Sequence, residues 1–429
     1  MAKKFISVLG AGNHEGKYKE CIYTWDNKSF KTEYIQEAIA HIFCSDWGKE
    51  DKIIIFTTEK SAGLHWNAEN TLKDRLDKKF NATNRMIPFG SNSDEQWELF
   101  DTIFNSLEEG DEVIVDITQS FRTIPMFLII ILNYAKVLKN IKVSGIYYGA
   151  YDAKTKNADG VDVAPIFDLK MYDLIMDITN GINTFLKTGN SSVLAETCSE
   201  INNEAYRNND SSLKNMNITV TSLNNFAKAI MTCRGNLMIK DKDKSIYWAY
   251  KTMEENLNQY EDSEDNLSKA LNPLFEKVKE ETKSFDDIDV VKNGISTVEW
   301  CINKGFIQQG ITALEETIKT FTCVYINKML NKNLDLYDEK HREDICNTVL
   351  NSQRFEITEK EKYYEVINEI LSSGIIPEGL LKLEIQISDL RNDTNHFAMR
   401  KEKINSLNKM ESKLKSYFKD FLEIIEDLS

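Results

Sequence analysis

Along residues 1–170 the apolar positions fall into short unbroken runs, separated by stretches where they recur every three or four places. The runs at 5–9, 52–57, 85–88, 112–118 and 142–148 predict β-strands, and 164–169 predicts one more. Helical spacing between them predicts helices over 32–43, 68–80, 94–107 and 124–138. The last carries Pro125 in its first turn, where a missing N–H costs nothing. Strands alternating with amphipathic helices are the signature of a mostly parallel sheet covered on both faces. From residue 171 onward the period changes to that of helices alone. It is clearest in the stripe Leu414, Tyr417, Phe418, Phe421, Leu422, Ile425 and Leu428. The polar stretches 202–217 and 261–267 read as loops or weak helix ends. The expected architecture is a Rossmann-like α/β N-terminal domain over 1–170, a helical linker region over 171–290 and an all-α domain over 291–429. No repeat or low-complexity tract interrupts it.

Composition narrows the classes of function. The chain is 41% hydrophobic over 429 residues, enough for full-sized cores. Its net charge of −15 argues against broad, sequence-blind binding to duplex nucleic acid, which needs many cations on phosphates. Any nucleic-acid site must therefore be local, and the window 387–406 has a slight excess of cations: Arg391, Arg400, Lys401 and Lys403 against Asp389, Asp393 and Glu402. The opening residues do not make a signal peptide, and the longest apolar run, 124–132, is far short of the ~20 residues of a bilayer span. A cytoplasmic protein without a membrane partner is expected. The seven cysteines are scattered singly, with no C-x-x-C and no histidine at ligand spacing, so neither a metal site nor a disulfide framework is expected.

Polar residues gather where the predicted strands end. Gly10-Ala11-Gly12-Asn13-His14-Glu15-Gly16 follows the first strand. Its third glycine is one position late for a dinucleotide fingerprint, and 17–25 reads as extended chain where that fingerprint needs a helix. Thr57-Thr58-Glu59-Lys60 follows the second strand and Gly90-Ser91-Asn92 the third. Asp116-Ile117-Thr118-Gln119-Ser120-Phe121-Arg122 follows the fourth. Four such loops on the carboxyl edge of a sheet outline a ligand pocket. The last would meet the start of the Pro125 helix, whose free N–H groups suit an anion, with Arg122 adding charge. Equally, Asp116 and Thr118 could serve only as caps of that helix. Candidate ligand residues are Gly10, Gly12, Asn13, Thr58, Glu59, Gly90, Asn92, Asp116, Thr118, Gln119, Ser120 and Arg122.

A second constellation, Arg391-Asn392-Asp393-Thr394-Asn395-His396, sets a guanidinium near an imidazole in a predicted helix. Arginine grips phosphate in a planar fork, and histidine moves protons near neutral pH. Those are the two groups that metal-free RNA cleavage requires, although the same spacing also arises at an ordinary solvated helix end. Five residues apart on a helix is about 140° around the axis, so Arg391 and His396 do not share a face, whereas Asn392 and His396 do. Either the arginine reaches around, or two helices assemble the site across a dimer axis. His341, His41 and His65 read as solvated surface residues. So does His14, which could also line the strand-end pocket.

Together these residues resemble the CRISPR-associated Rossmann-fold (CARF) proteins fused to HEPN ribonuclease domains, in the DxTHG-motif branch that accompanies type III systems. The resemblance is carried by Ser7-Val8-Leu9-Gly10, Thr57-Thr58-Glu59, Ile87-Pro88-Phe89-Gly90, Asp116-Ile117-Thr118, Tyr147-Tyr148-Gly149-Ala150 and Pro165-Ile166-Phe167-Asp168-Leu169. In the second half it rests on Gly305 through Glu315, similar to a HEPN core helix, and on the Arg-x4-6-His pattern of Arg391 and His396. Where the family has His-Gly, this chain has Gln119-Ser120, which puts cleavage of the ligand by the sensor domain in doubt. The resemblance implies a sensor of cyclic oligoadenylate, cyclic tetra-adenylate favoured over cyclic hexa-adenylate, that switches on cleavage of single-stranded RNA. It also implies a homodimer or higher even-numbered oligomer. Arg391, Asn392 and His396 would be catalytic, with no metal and no other cofactor. A second reading is a ligand-sensing regulator that binds a partner protein or RNA without cutting it. A small-molecule enzyme lacks a convincing nucleophile and base.

Overall fold

The computed structural model describes residues 2–119, 123–207, 209–399 and 404–428. The described chain divides into two compact units, residues 1–174 and 175–429. In the first, nine strands form one sheet: β1 (Lys3–Leu9), β2 (Cys21–Trp25), β3 (Lys28–Thr32), β4 (Lys52–Thr57), β5 (Ala82–Met86), β6 (Glu112–Asp116), β7 (Lys142–Gly149), β8 (Thr155–Lys156) and β9 (Asp162–Asp168). Their order is β3-β2-β9-β7-β6-β1-β4-β5, with β8 against β9. The five strands from β7 to β5 run parallel, while β7–β9, β8–β9 and β2–β3 are antiparallel. The sheet is thus mixed but mostly parallel.

Alternation along the strands explains why both faces are covered. Phe5, Leu9, Ile53 and Ile55 pack with Ile35 and Ile39 of α1 (Ile35–Phe43) on one face. Ile6, Val8, Ile54, Phe56, Val113 and Val115 pack on the other, with Leu99 and Ile103 of α4 (Ser93–Phe104) and Leu128 and Ile131 of α5 (Ile124–Lys139). Successive side chains of a strand point to opposite faces, so a two-sided strand reads as an unbroken apolar run. Between β4 and β5 the chain makes two short helices, α2 (Glu59–His65) and α3 (Leu72–Leu76), instead of the single helix expected over 68–80. Asn70, in the left-handed region at φ 55°, and Thr71, the N-terminal cap of α3, set the break. Of the β2–β3 hairpin, β2 falls in the stretch 17–25 that reads as extended chain, but β3 and the pairing were unforeseen. Its second strand, Lys-Ser-Phe-Lys-Thr, is mostly exposed and so carries no apolar run.

The second unit is helical. α6 (Lys170–Thr188) leads into α7 (Ser192–Arg207), α8 (Lys214–Met231), α9 (Ile246–Glu261), α10 (Asn266–Thr282), α11 (Val290–Lys304) and α12 (Ile307–Leu330). A π-helical stretch over Lys340–Asn347 precedes α13 (Thr348–Leu350), α14 (Tyr364–Ser372), α15 (Glu378–Asn395) and α16 (Leu407–Leu428). The stretch 202–217, read from the sequence as loops or weak helix ends, holds the end of α7 and the start of α8. Its polar residues lie on the outer faces of α7 and α8, while Leu213 and Met216 are buried. One core joins α11, α12, α15 and α16 through Val298, Leu314, Ile318, Ile387, Leu390, Leu414 and Phe421. No helix among the described residues is long and apolar enough to cross a membrane.

One buried ion pair fixes the amino-terminal edge of the sheet. Lys4 Nζ lies 2.8 Å from Asp111 Oδ2 and donates to Ser106 O at 3.0 Å, and both side chains are almost fully buried. Removing Asp111 leaves the buried Lys4 charge only the exposed Glu108 carboxylate at 3.5 Å, a loss of up to roughly 3–5 kcal/mol. Asp111→Ala should lose about that much stability in denaturant titration of the first unit's transition, whereas exposed Lys31→Ala should change it by less than about 1 kcal/mol.

Candidate functional site

The strand topology places the first group of candidate residues. From β1 the chain passes to the β2–β3 hairpin at the far edge, comes back through α1 to β4 and β5 on the other side of β1, then crosses to β6 and β7. The crevice between the carboxyl ends of β1 and β6 is therefore a topological switch point, where open α/β sheets bind ligands. Ser7 Oγ of β1 donates to Asp116 Oδ2 of β6 across it at 2.7 Å. Asp116 Oδ1 accepts the Thr118 N–H at 2.9 Å, and Thr118 Oγ1 accepts the Gly149 N–H at 2.7 Å. Burial pushes the Asp116 carboxyl up, against the opposing pull of Ser7 and Thr118. Asp116 and Thr118 thus lock three strand ends together and do not cap α5, whose N-cap is Thr123. Gln119 Oε1 accepts from Gln36 Nε2 at 3.2 Å. Ser120 and Arg122 lie outside the described residues.

The other loops at this edge have structural work of their own. Gly10 O accepts from Tyr18 Oη at 2.8 Å, and Asn13 Oδ1 accepts the N–H groups of Glu15 and Lys17 at 2.9 and 3.0 Å. Gly12 sits at φ 79°, where a Cβ would come within 2.9 Å of the Lys17 backbone, so this tight loop requires glycine there. Thr58 caps α2 in a reciprocal bond with Ser61, which puts Glu59 in the first turn of that helix. Asn92 Oδ1 caps α4 through the Glu95 N–H, and Glu95 Oε2 accepts from Gly90 N and Ser91 N at 2.9 and 2.8 Å. Those backbone donors hold the Glu95 carboxyl below its usual range. His14 is exposed beside Glu15. His65 and His41, expected at the surface, are packed instead. The His65 ring lies 4.6 Å from that of Tyr18, and His41 stacks on Phe30 at 4.1 Å. Burial lowers the basicity of both.

The second constellation stands at the end of α15. Arg391 Nη1 lies 3.0 Å from Glu315 Oε1 of α12, and Glu315 is buried while the arginine side chain is 31% exposed. The guanidinium is therefore held at Nη1 and partly exposed, while its Nε is buried without a hydrogen-bond partner. It lines a cleft of about 590 Å3 shared with Lys319, Phe355 and Ser388. Asn392 O accepts the N–H of His396 at 3.1 Å, and His396 caps the helix with its side chain exposed. No hydrogen bond or ion pair joins Arg391 to His396 among the described residues. Asp393, buried between them in sequence, accepts from Asn405 N and Nδ2 at 2.8 and 2.9 Å and so ties the helix end to the segment before α16. Arg400, Lys401, Glu402 and Lys403 lie outside the described residues.

Sequence reasoning placed Glu315 at the end of a core-helix pattern but did not foresee its ion pair. It missed the charged cluster beneath that pair altogether. Lys319 Nζ, buried, lies 3.7, 3.3 and 3.1 Å from Glu315, Glu316 and Glu343. Arg342 completes the set on Glu316 at 2.7 Å. Glu384, one α15 turn pair before Arg391, is fully buried with neither carboxyl oxygen hydrogen-bonded. Burial first, then the nearby Glu315 charge, pushes its pKa up to about 8. A signal existed: Glu315, Glu316 and Lys319 interrupt an apolar helix at one-turn spacing. No group of three or more metal-ligating side chains occurs among the described residues.

Because Glu384 holds its proton in the folded chain up to pH about 8 but releases it near 4.5 when unfolded, the folded state binds the extra proton between those values. Its contribution to stability falls as pH rises across that window. Glu384→Gln should flatten the pH dependence of the second unit's melting temperature between pH 5 and 8, read by a thermal scan at about half-unit steps. It should also stabilise the protein above pH about 8. An unchanged slope would mean that Glu384 is ionised in the fold.

No protein-family model matches the chain. Over 117 residues, 26% of this chain, it is 36% identical to the CRISPR-associated protein MJ1674 of Methanocaldococcus jannaschii. The match covers 18% of that relative's length, so the chain spans under a fifth of it. At that level the chain is related to a CRISPR-associated protein.

Proposed function

We propose that the chain is a metal-independent endoribonuclease of CARF–HEPN type, cleaving single-stranded RNA in type III CRISPR defence when a cyclic oligoadenylate binds its α/β unit. The observation that carries the reading is Arg391: anchored on buried Glu315, partly exposed on a cleft wall, five residues before an exposed His396 at the helix end. An arginine fixed in this way needs no reorganisation to meet a phosphate, which is what transition-state stabilisation requires. The switch-point crevice of the α/β unit supports the sensor, and the likeness to a CRISPR-associated protein supports the setting.

In this reading His396 takes the proton of the ribose 2′-OH, or donates one to the departing oxygen. The 2′-oxygen bonds to phosphorus as the P–O5′ bond breaks, so the products carry 2′,3′-cyclic phosphate and 5′-OH ends. Arg391 stabilises the charge that develops on the phosphorane, and Asn392 orients the imidazole or the phosphate. The wide angle between Arg391 and His396 on one helix favours a site completed by the same residues of a second chain, in a two-fold dimer that also suits a ring-shaped ligand.

With cyclic tetra- or hexa-adenylate and EDTA present, the protein should cut labelled single-stranded RNA, and His396→Ala should slow it by a factor of roughly 10²–10⁴. Stimulated cleavage that survives His396→Ala would remove the histidine from catalysis. The activating ring should raise the melting temperature of the wild type, since a ligand at a hundred times its Kd stabilises by about 2.7 kcal/mol. Gly12→Val, which breaks the strand-end loop, should abolish that rise.

A further inference from the structure

The cleft beside Arg391 has a wall whose charges are already matched. Glu315 faces Arg391, Glu343 faces Lys319, Glu316 faces Arg342, and Arg354 meets Asp389 at 2.7 Å. Apart from Arg391 and the exposed carboxylates Glu356 and Glu361, what remains to meet a ligand there is neutral. Asn351 Nδ2 donates to Asn347 O at 3.0 Å and to Asn347 Oδ1 at 2.9 Å. A backbone carbonyl can only accept, so the amide nitrogen of Asn351 must face it and its orientation is settled. Asn351 Oδ1 is left as an acceptor and Asn347 Nδ2 as a donor, both on residues that line the cleft. Phe355, 68% exposed, lines it as well. At about 590 Å3 the space falls within the range of small-molecule pockets, roughly 300–1,000 Å3.

A flat exposed ring beside an acceptor and a donor is what an unstacked nucleobase needs, a face to stack on and an edge to pair with. The rim selects against the backbone, because Glu356 and Glu361 also line the cleft and are exposed carboxylates that repel phosphate. Accepting the ribonuclease reading above, we infer that this cleft receives the base next to the phosphate gripped by Arg391, stacked on Phe355, and prefers bases with an exocyclic amino group to uracil. An amino group has two hydrogens and satisfies both Asn351 Oδ1 and a rim carboxylate. Uracil can pair its one N–H with Asn351 Oδ1 and one carbonyl with Asn347 Nδ2, but it has no second N–H for Glu356 or Glu361, and its other carbonyl would face a carboxylate.

Sequencing the cut sites in a randomised single-stranded RNA pool tests this. Activated wild type should show uracil depleted at one position beside the cut. Phe355→Ala should raise KM for RNA about tenfold, and Asn351→Ala should flatten the base preference. Both alter partly exposed positions and leave the buried core intact. A second measurement does not need cleavage: binding of labelled oligocytidylate and oligouridylate to the His396→Ala protein. Oligocytidylate should bind more tightly, and Asn351→Ala should erase the difference. Discrimination in binding without any cleavage by the wild type keeps the cleft and overturns the nuclease reading. Cleavage with uracil used as freely as the other bases, or with a preference that both variants retain, overturns the cleft alone. Neither cleavage nor discrimination overturns both.

Discussion

The second unit depends on the ion pair between buried Glu315 of α12 and partly exposed Arg391 of α15. A carboxylate taken out of water costs several kcal/mol, and it persists in a core only when partners offset that cost. Glu315 has two, Arg391 at 3.0 Å and Lys319 at 3.7 Å. The burden then spreads, because Lys319 must be balanced by Glu316 and Glu343, and Glu316 by Arg342 from the π-helical stretch. Glu384 lies in the same core and avoids a further penalty by keeping its proton. The result is a helical core whose polar centre specifies which residue of α15 stands opposite which residue of α12. It presents the Arg391 guanidinium at the surface of a cleft.

In the first unit the corresponding constraint is the return of the chain across the sheet after β5. That crossover brings the ends of β1 and β6 side by side, where Ser7 and Asp116 bond over the gap. Neighbouring loops converge on the same edge because their strands are parallel, and each is held in shape by its own short-range bonds. Asn13 closes the glycine loop, and Asn92 with Glu95 closes the turn before α4. Backbone groups and whatever the loops leave exposed are therefore available to a ligand, whereas several of the polar side chains are already engaged.

The alternation of strand and helix was legible because two-sided strands write themselves as apolar runs, as in 52–57 and 112–116. The β2–β3 hairpin was not, since one mostly exposed strand with two lysines has no such run. Arg391 and His396 were legible from type and spacing. Their support was not, because Glu315 lies far from Arg391 in sequence and only the packing of α12 on α15 joins them. Among the strand-end residues, spacing could identify the edge but not separate a ligand contact from a cap. Thr58 and Asn92 are caps, and Asp116 and Thr118 are strand-end ties. His65 looked like a surface residue because the tyrosines that enclose it come from Tyr18 and Tyr34, outside its own helix.

If Glu315 acts by holding Arg391 ready for a phosphate, steady-state cleavage of single-stranded RNA by Glu315→Gln separates that role from simple folding support. The amide keeps the shape and can still accept a hydrogen bond, but it no longer fixes the charge. With a circular dichroism spectrum and RNA affinity like those of the wild type, kcat should fall by at least about tenfold while KM stays within about twofold. A folded Glu315→Gln protein that cleaves at the wild-type rate would show that the ion pair only packs the core, and that Arg391 is not poised by it.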